Sequence, residues 1–396
     1  MKILFILDYY GAQASANGVC VEKVANAFVK AGDEVSLLIF GSDISPAQKN
    51  EMKIYTCCQQ GQDTLHQNPI QYYIRYALPS RFPVYARKGV TQEIFAAADR
   101  ILSENDVDTV VCVHLPIESI MAGAALKRKY PNVRFIAYML DAFSGGILPA
   151  KLPKRFCLRK KIKWENKLLA PFDSVILMRS AKEHCERYCR RFSWYNNAMY
   201  LDVPLFVPQQ PPETVTDNSV LFVGTMDDRV RTPYYFLQAV NHITDMELSV
   251  SFAGQNHCGA LQNYISSANV IVNEYGLLSH EQAISLMQKS KVLLNLGNKN
   301  PNLVPSKIFE YISLGKPIIS TYCCDDDSSL FYLKSYPNVL LLDERNKDFA
   351  FAAQQIQDFL LHCPTQPVDM EVLAKRFAEN TPQSFVCAVK NQKGSA

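Results

Sequence analysis

Residues 305–319 read PSKIFEYISLGKPII, and no other stretch says as much about the fold of this chain. Pro305 suits the first position of a helix, where its missing N–H costs nothing and its fixed φ favours the helical backbone. Gly315 suits the position just past the helix end, and Pro317 prevents the helix from continuing. The apolar residues that follow indicate a strand. The stretch therefore predicts a loop, a short helix, a Gly-Lys-Pro turn and a buried strand.

Two charged residues of this helix have the spacing of a nucleotide-binding pair. Lys307 lies in the first turn, where free backbone N–H groups and the helix dipole favour an anion. Glu310 follows three residues later and shares a face of the helix with Lys307. A cation beside a phosphate, with a carboxylate one turn away for sugar hydroxyls, would hold a nucleotide diphosphate. The alternative is an ordinary surface Lys–Glu contact on an amphipathic helix.

The whole string resembles the nucleotide-sugar signature of GT-B glycosyltransferases. It is most similar to the large retaining GT4-like group, which includes bacterial polysaccharide and glycolipid transferases. In that group a glutamate at the place of Glu310 binds the ribose hydroxyls of the donor nucleotide. The resemblance implies that Ser306 and Glu310 bind the donor, and that Lys307 stabilises the charge on the leaving diphosphate.

One position departs from the pattern of the group. Many members have a second glutamate eight positions before the ribose-binding one, in contact with the donor sugar, and here that position is Asn302. The paired acidic motif is therefore incomplete. This keeps one alternative open, a degenerate GT-B protein that acts as a non-catalytic partner or sugar-nucleotide sensor. A GT-B-fold sugar-nucleotide epimerase is a separate alternative, and the absence of epimerase-like acidic and glycine clusters counts against it.

Length and composition indicate a globular chain of two domains. The 396 residues are too many for one ordinary core. Hydrophobic residues make up 48% of the chain and charged residues 20%, as in soluble globular proteins. The formal net charge of +3 is small, so we expect no nucleic-acid partner. No apolar run approaches the roughly 20 residues of a membrane span.

The chain start and the cysteines predict a cytoplasmic protein. Residues 1–8 read MKILFILD, which is short and interrupted by Asp8, and this predicts a buried strand rather than a signal peptide. The 12 cysteines include the adjacent pairs Cys57-Cys58 and Cys323-Cys324. Such spacing suits reduced thiols better than a disulfide framework.

The first half of the chain alternates strands with helices. Its strands are predicted from apolar and β-branched runs, which indicate burial on both faces. They are Ile3–Leu7, Val35–Phe40, Val107–His114, Val133–Leu140 and Ser174–Met178. Helices are predicted between them, starting at Gly18 for the first and at about Glu118 for a later one. This rhythm is typical of a doubly wound parallel sheet.

A proline cluster separates this half from a second series of the same kind. Prolines at 204, 208, 211 and 212 indicate a linker. The strands predicted after it are Val220–Val223, Leu248–Ala253, Val270–Asn273, Lys291–Leu296 and Pro317–Thr321. Ser279-His280-Glu281-Gln282 predicts a capping box at the start of a helix to about Lys289. Two further helices are predicted, around Phe349–His362 and Val368–Asn380.

The predicted fold class is therefore α/β with two Rossmann-like doubly wound parallel-sheet domains, the GT-B arrangement, facing each other across a cleft. The amino-terminal acceptor-side domain is expected at 1–203, the linker at 204–218 and the nucleotide-sugar-binding domain at 219–365. The resemblance implies that the segment 366–396 crosses back to the first domain. In such sheets ligands bind at the carboxyl ends of the strands.

Basic residues follow the first strand of the second domain. Gly224 ends this strand, and in the resembling group the loop at this point approaches the donor phosphates. Arg229 and Arg231 are the nearest guanidinium groups, which fork onto phosphate oxygens and stay charged. The alternative is that both are surface arginines paired with Asp227 or Asp228.

Two other glycines are candidates for binding the donor. Gly254 ends the next strand, where glycine would let the backbone approach a base or ribose; a simple tight turn is equally compatible. Gly18 corresponds to the group's loop that faces the donor diphosphate from the first domain, and a plain helix-initiating glycine is its alternative. No Gly-x-Gly-x-x-Gly follows any predicted strand, which argues against a nicotinamide or flavin enzyme.

Asp141 is the third candidate for catalysis, with Lys307 and Arg229. It follows a predicted strand and precedes the sequence AFSGG. A carboxylate at the end of a parallel strand, before a glycine-rich loop, is well placed in a cleft, and related enzymes often have His or Asp in this turn. The alternative role is capping of a helix.

The segment Lys151–Lys167 is strongly basic, with eight Lys or Arg residues and a single acid, Glu165. Aromatic and aliphatic residues are interleaved with the charges. This suits a basic face that contacts a membrane peripherally or that recognises an anionic acceptor such as a lipid-linked phosphate. The alternative is an ordinary solvated helix. The group His184, Cys185 and Cys189 lacks a second pair of ligands, so we predict no metal site.

Together these features predict a glycosyltransferase that moves a sugar from a nucleotide-diphosphate sugar to an acceptor hydroxyl. Retention of anomeric configuration and a role in bacterial polysaccharide or glycolipid synthesis are implied by the resemblance alone. The nucleotide sugar is a co-substrate, and no further cofactor is expected. The acceptor would be lipid-linked or an oligosaccharide, and the protein would be cytoplasmic or peripheral on the inner face of the plasma membrane.

Overall fold

The computed structural model describes residues 1–8, 10, 16–40, 52–57, 86–114, 116–140, 143–146, 153–209, 215–299, 304–364 and 367–391. The chain forms two compact units. Unit 1 comprises Met1–Pro204 and Pro382–Ala396, and unit 2 comprises Leu205–Thr381. The linker 204–218 and the terminal segment 366–396 do not coincide with these divisions and stay predictions. None of the helices in the described ranges combines the length and apolar character that a membrane crossing needs.

Unit 1 is built on a seven-stranded sheet whose neighbouring strands all pair in parallel. The strands are β1 Lys2–Leu7, β2 Glu34–Ile39, β3 Lys53–Thr56, β4 Thr109–His114, β5 Arg134–Met139, β6 Ser174–Met178 and β7 Ala198–Leu201. Their order is β3-β2-β1-β4-β5-β6-β7, so the chain order reverses between β1 and β4. Every residue of β4 is buried, as expected for a strand covered on both faces.

Helices lie between the strands of this sheet along the chain. They are α1 Ala16–Lys30, α2 Lys88–Glu104, α3 Ile117–Lys129, α4 Lys154–Leu169 and α5 Lys182–Tyr188. In α2, for example, Ile94, Ala98 and Ile101 are buried at spacings of four and three residues, which places them on one face. α1 begins two residues before the predicted start at Gly18.

Unit 2 is built on a six-stranded sheet, also parallel throughout. The strands are β8 Ser219–Val223, β9 Leu248–Ala253, β10 Val270–Gly276, β11 Val292–Asn295, β12 Ile318–Tyr322 and β13 Val339–Asp343. The order β10-β9-β8-β11-β12-β13 reverses between β8 and β11. The helices are α6 Tyr234–Val240, α7 His280–Lys289, α8 Lys307–Ser313, α9 Ser328–Leu333, α10 Phe349–His362 and α11 Met370–Arg376.

The last helix, α12 Pro382–Asn391, belongs to unit 1. Its Phe385 ring packs against the rings of Phe28 and Tyr138, with centroids 6.4 and 4.6 Å away. Lys390 Nζ lies 2.7 Å from Asp33 Oδ2 at the end of the α1–β2 connection. α12 is therefore fixed to unit 1 by both an aromatic cluster and an ion pair.

The two parallel sheets confirm the predicted α/β fold class of paired Rossmann-like domains. The helix of residues 305–319 starts later than predicted, because Ser306 takes the cap position and Lys307 is the first helical residue. Pro305 instead accepts a hydrogen bond from Ile308 N at 3.2 Å in a tighter opening turn. Gly315 ends the helix at φ 67°, as predicted.

Candidate functional site

The strand order of unit 2 shows where a ligand would bind. Ligands of doubly wound sheets bind beyond the carboxyl ends of the strands, at the point where the strand order reverses. In unit 2 this point lies between β8 and β11. The segments that follow these two strands begin at Gly224 and at Leu296, respectively. The candidate site is therefore built from the loops after β8, β9 and β11, together with α8.

Glycines bring the ends of β8 and β9 into direct contact. Gly224 has φ 156° and Gly254 has φ 130°, values that side chains rarely allow. Gly224 N donates to Ala253 O at 2.8 Å, and Gly254 N donates to Gly276 O at 2.7 Å. A Cβ on Gly254 would overlap the carbonyl of Gly224. The two glycines singled out from the sequence thus lie against each other, in backbone conformations that require glycine.

The turn after β8 separates the two candidate arginines. Asp227 N donates to Arg231 O at 3.1 Å, which closes the turn. Arg229 forks onto the Asp227 carboxylate at 3.0 and 2.9 Å and is 86% exposed. Its guanidinium, together with its backbone N–H, holds the pKa of Asp227 well below its usual range. Arg229 therefore takes the surface pairing that was the alternative reading of the sequence.

Arg231 has a different environment at the other end of the turn. Its Nε is buried and has no hydrogen-bond partner among the residues that the structure describes. Burial lowers the pKa of Arg231, while the neighbouring Tyr311 and Asp327 raise it. Arg231 is thus a partly desolvated cation beside the switch point, where an anion would be attracted strongly.

Helix α8 presents the Lys307–Glu310 pair. Lys307 Nζ lies 2.9 Å from both carboxylate oxygens of Glu310. The side chain of Glu310 is only 3% exposed, whereas that of Lys307 is 29% exposed. Ser306 precedes them, and its side chain makes no capping hydrogen bond. The pair is therefore a partly buried ion pair whose cation reaches solvent.

Tyr311 ties this pair to the end of β8, a contact that sequence reasoning missed. Its hydroxyl accepts a hydrogen bond from Val223 N at 3.0 Å and is 3.4 Å from Val223 O. Burial raises the pKa of Tyr311, so the phenol stays protonated. Because Gly224 follows Val223 directly, Tyr311 holds α8 against the glycine loop. A buried tyrosine next to Glu310 was the available signal, since its hydroxyl must find a partner.

The loop after β11 is also held by close contacts with residues that are distant in sequence. A Cβ on Gly297 would lie 2.7 Å from Tyr322 Cα, so only glycine fits there. Gly297 N donates to Thr321 Oγ1 at 3.0 Å. Asn298 N donates to Asp327 Oδ2 at 3.0 Å, and Asp327 is buried. These contacts fix the loop up to Lys299; Asn302 lies outside the described residues.

The Gly-Lys-Pro turn after α8 has a structural explanation. Lys316 is buried and its ammonium donates to the carbonyls of Gln288 and Ser290 at the end of α7. Burial lowers the pKa of Lys316 to about 8. Gly315 supplies the positive φ that the turn needs. The turn therefore joins the end of α7 to the start of β12.

The remaining candidates belong to unit 1. Gly18 is buried in the first turn of α1. Asp141 lies outside the described residues. Among the residues described, no cluster of three or more His, Cys, Asp or Glu side chains could hold a metal ion.

Comparisons with known proteins agree on the fold. No family model matches the chain, and no curated protein matches it in sequence. The apo lipopolysaccharide outer core galactosyltransferase WaaB is 14% identical over 99% of this chain and 100% of that chain, with a TM-score of 0.57. HepE of Anabaena, in complex with UDP and glucose, is 11% identical over 100% of both chains, with a TM-score of 0.63. An α-glucosyltransferase in complex with UDP and a 13-mer DNA is 11% identical over 99% of this chain and 98% of that chain, with a TM-score of 0.60.

These similarities identify the fold of the chain as that of GT-B glycosyltransferases. In unit 2 that fold brings Gly224, Gly254 and Arg231 to one edge of the sheet, with Lys307 and Glu310 joined to it through Tyr311.

Proposed function

We propose that this protein is a glycosyltransferase that moves a sugar from a nucleotide-diphosphate sugar to an acceptor hydroxyl. The observation that supports it most is the buried Glu310 carboxylate, paired with Lys307 and joined to the glycine loop after β8. Two structures of the same fold were solved with UDP, which makes a nucleoside diphosphate the first ligand to test.

Glu310 would accept hydrogen bonds from the ribose hydroxyls of the donor. A carboxylate has about four lone-pair sites, and Lys307 uses one on each oxygen. The remaining sites can accept two hydroxyl groups while the ion pair persists. Hydrogen bonds to a carboxylate are stronger than those to a neutral acceptor.

Arg231 and Lys307 would stabilise the diphosphate as it leaves. Charge develops on the leaving diphosphate during transfer, and preorganised cations stabilise this charge most where water is excluded. Arg231 meets this condition better than Arg229, since Arg229 is exposed and already paired with Asp227. The glycines at 224 and 254 would let the backbone approach the donor closely.

We further propose the GT4-like type, transfer with retention, and a role in bacterial polysaccharide or glycolipid synthesis. Gly18 and Asp141 would act from unit 1, Gly18 toward the donor and Asp141 in catalysis. Because cationic side chains supply the electrostatic stabilisation, transfer should proceed without a divalent metal and should persist in a chelator. The protein would act in the cytoplasm.

The acceptor would be lipid-linked or an oligosaccharide, and α4 would bring the protein to an anionic membrane surface. The exposed face of α4 includes Lys154, Arg159, Lys163 and Lys167, with Phe156 48% exposed among them. Ile162, on the opposite face, is buried in the unit 1 core and would not touch lipid. Basic side chains around an exposed aromatic ring are typical of interfacial helices.

Calorimetric binding of UDP, GDP, ADP and dTDP tests the donor site. We expect tight binding of one nucleotide to the wild type and loss of this binding in Glu310→Ala. Glu247→Ala is the matched control, because Glu247 is exposed and precedes β9 at the opposite end of the sheet. Absence of binding to all four nucleotides by the folded wild type would refute the proposed function. Turnover of the matching sugar nucleotide would then identify the donor.

A further inference from the structure

The loop that follows β5 in unit 1 is held by a buried carboxylate and a histidine. The described part of this loop, residues 143–146, reads FSGG. Glu165 of α4 accepts hydrogen bonds from both the backbone N–H and the hydroxyl of Ser144. His184 Nε2 of α5 lies 2.8 Å from Ser144 Oγ. One loop residue is therefore held by two helices at once, directly before two glycines.

The direction of these hydrogen bonds follows from the protons available. The Ser144 hydroxyl has one proton, which it donates in the hydrogen bond to Glu165. The oxygen of Ser144 must then accept from His184, which places a proton on Nε2 of the imidazole. Ser144, Glu165 and His184 thus form a chain in which every partner has a defined role.

Lys161 adds a second attachment one residue earlier in the loop. Its ammonium donates to the Phe143 carbonyl at 3.2 Å and lies 5.5 Å from the centre of the Phe143 ring. The Phe143 ring in turn packs edge-on against His114 at the end of β4, with centroids 5.9 Å apart. Lys161 therefore points inward, unlike the other basic residues of α4 that face solvent.

Burial of the Glu165 carboxylate carries an unfavourable desolvation free energy. The residue is 3% exposed and forms no ion pair within the described ranges. Burial raises its pKa, against the opposing effect of the hydrogen bonds from Ser144 and Cys189 and of the Lys161 ammonium. A buried carboxylate is tolerated only when its hydrogen bonds are satisfied. Here most of the hydrogen bonds that Glu165 accepts come from one loop residue, Ser144.

The loop 143–146 lies near the edge of the unit 1 sheet where a ligand is expected. The chain order of the unit 1 sheet reverses between β1 and β4, so a ligand of this unit is expected at the carboxyl ends of these strands. The loop follows β5, the neighbour of β4, and contacts His114 through Phe143. It therefore borders the ligand edge of unit 1.

We propose that Glu165, Ser144 and His184 form a clamp that positions the loop 143–146 as a wall of the acceptor site. Glu165 and His184 are positioning residues, since they act through Ser144. This proposal rests on the proposed function for its effect on turnover. It predicts that the clamp affects the acceptor and the chemical step and leaves nucleotide binding in unit 2 unchanged.

Kinetics of four variants test the clamp. Ser144→Ala removes the shared hydroxyl, and His184→Phe keeps an aromatic ring against Tyr188 but removes the donor. Each should lower kcat by about tenfold and raise the acceptor KM, at unchanged donor KM and nucleotide affinity. His184→Gln keeps a donor and should retain activity within about threefold of the wild type. Asp173→Ala is the control. Asp173 accepts a hydrogen bond from Phe135 N at 2.7 Å near the start of β5, whereas the loop 143–146 follows the end of β5.

Hydrogen exchange separates this proposal from the proposed function. Amides of residues 143–146 should exchange faster in Ser144→Ala and His184→Phe, and at the wild-type rate in Asp173→Ala. Unchanged exchange in both clamp variants would overturn the proposal, even if the wild type binds no nucleotide. Equal losses of kcat in Asp173→Ala and Ser144→Ala would also overturn it, since general destabilisation would then explain the effect.

Discussion

Helices α8 and α4 each bury a glutamate that follows a lysine by one helical turn, yet the two pairs differ in their contacts. In α8 the lysine and the glutamate bind each other, with Lys307 Nζ at 2.9 Å from both oxygens of Glu310. In α4 Lys161 donates to a loop carbonyl, and Glu165 accepts from a loop serine.

Spacing alone therefore does not define an ion pair. In α8 the cation compensates the buried carboxylate within the helix, so both groups can face a ligand. In α4 both charged groups are used to hold a neighbouring loop. Removal of a cation from a buried carboxylate should lower the free energy of unfolding more than removal of a hydroxyl partner, and this difference can be measured.

Removal of the lysine should have the largest effect. Lys307→Met leaves the Glu310 carboxylate, 3% exposed, without its cation and should lower the free energy of unfolding of unit 2 by about 3 kcal/mol. Lys161→Met loses the hydrogen bond to the Phe143 carbonyl and the contact with the Phe143 ring, and should cost unit 1 less, about 1 kcal/mol. Hydrogen exchange of core amides can follow unit 2. Fluorescence in urea follows unit 1, because both tryptophans, Trp164 and Trp194, lie there. Equal losses would remove the contrast.

The link between α8 and its sheet should come next in size. Tyr311→Phe removes the hydroxyl partner of Val223 N at the buried end of β8, and we expect a loss of about 2 kcal/mol in unit 2. Tyr275→Phe is the control, since Tyr275 is 48% exposed and should change stability by less than about 0.5 kcal/mol. A Tyr311→Phe protein as stable as the control would show that α8 is held by packing alone.

The ends of the two helices should differ by a smaller amount. Gly315→Ala forces alanine to φ 67° and places a Cβ 3.1 Å from Val368 N, so unit 2 should lose about 1–2 kcal/mol. α4 ends at Ala170 in the helical conformation, and Ala170→Gly should cost unit 1 less than about 0.5 kcal/mol. Urea unfolding of both variants checks the difference. A neutral Gly315→Ala would mean that the turn after α8 can relax.

The pH dependence of Glu165 should be the smallest effect. Burial raises its pKa above the ordinary value of 4.5, so the folded protein binds this proton more tightly than the unfolded chain. The group therefore adds stability below the ordinary pKa, and this stability is lost as the pH rises through the raised pKa. The difference in unfolding free energy between the wild type and Glu165→Gln should fall from pH 4.5 upward and then level off. A difference that is constant with pH would contradict the raised pKa.

The central strands were predictable from the sequence, whereas three of the four edge strands were not; the fourth, β10, was predicted at Val270–Asn273. Every strand predicted from an apolar run is present in the sheets. The strands that were missed, β3, β7 and β13, all lie at sheet edges, and most of their residues are only partly buried. An edge strand lacks the continuous apolar run that marks burial on both faces, so its pattern resembles a loop.

Contacts within one helix were predictable, and contacts across long sequence separations were not. The Lys307–Glu310 pair spans three residues and follows from helical periodicity. The Tyr311–Val223 bond spans 88 residues, and Ser144 meets His184 across 40. Such partners are chosen by tertiary packing, which no local pattern encodes.

The two arginines illustrate the same limit over a very short distance. Arg229 and Arg231 are equivalent in the sequence, and both were candidates for phosphate contact. The turn closed between Asp227 and Arg231 directs Arg229 to solvent and partly buries Arg231. Which of the two faces inward depends on turn geometry rather than on residue type.

Helix α12 has a consequence for the order in which the chain folds during synthesis. Unit 1 is discontinuous, because all of unit 2 is translated before α12. Until α12 leaves the ribosome, Phe28 and Tyr138 lack the Phe385 ring, and Asp33 lacks Lys390. Domains generally fold as units in the order of synthesis, but here unit 2 can be complete while unit 1 still waits for its last helix. A segment made after unit 2 therefore decides when unit 1 is finished.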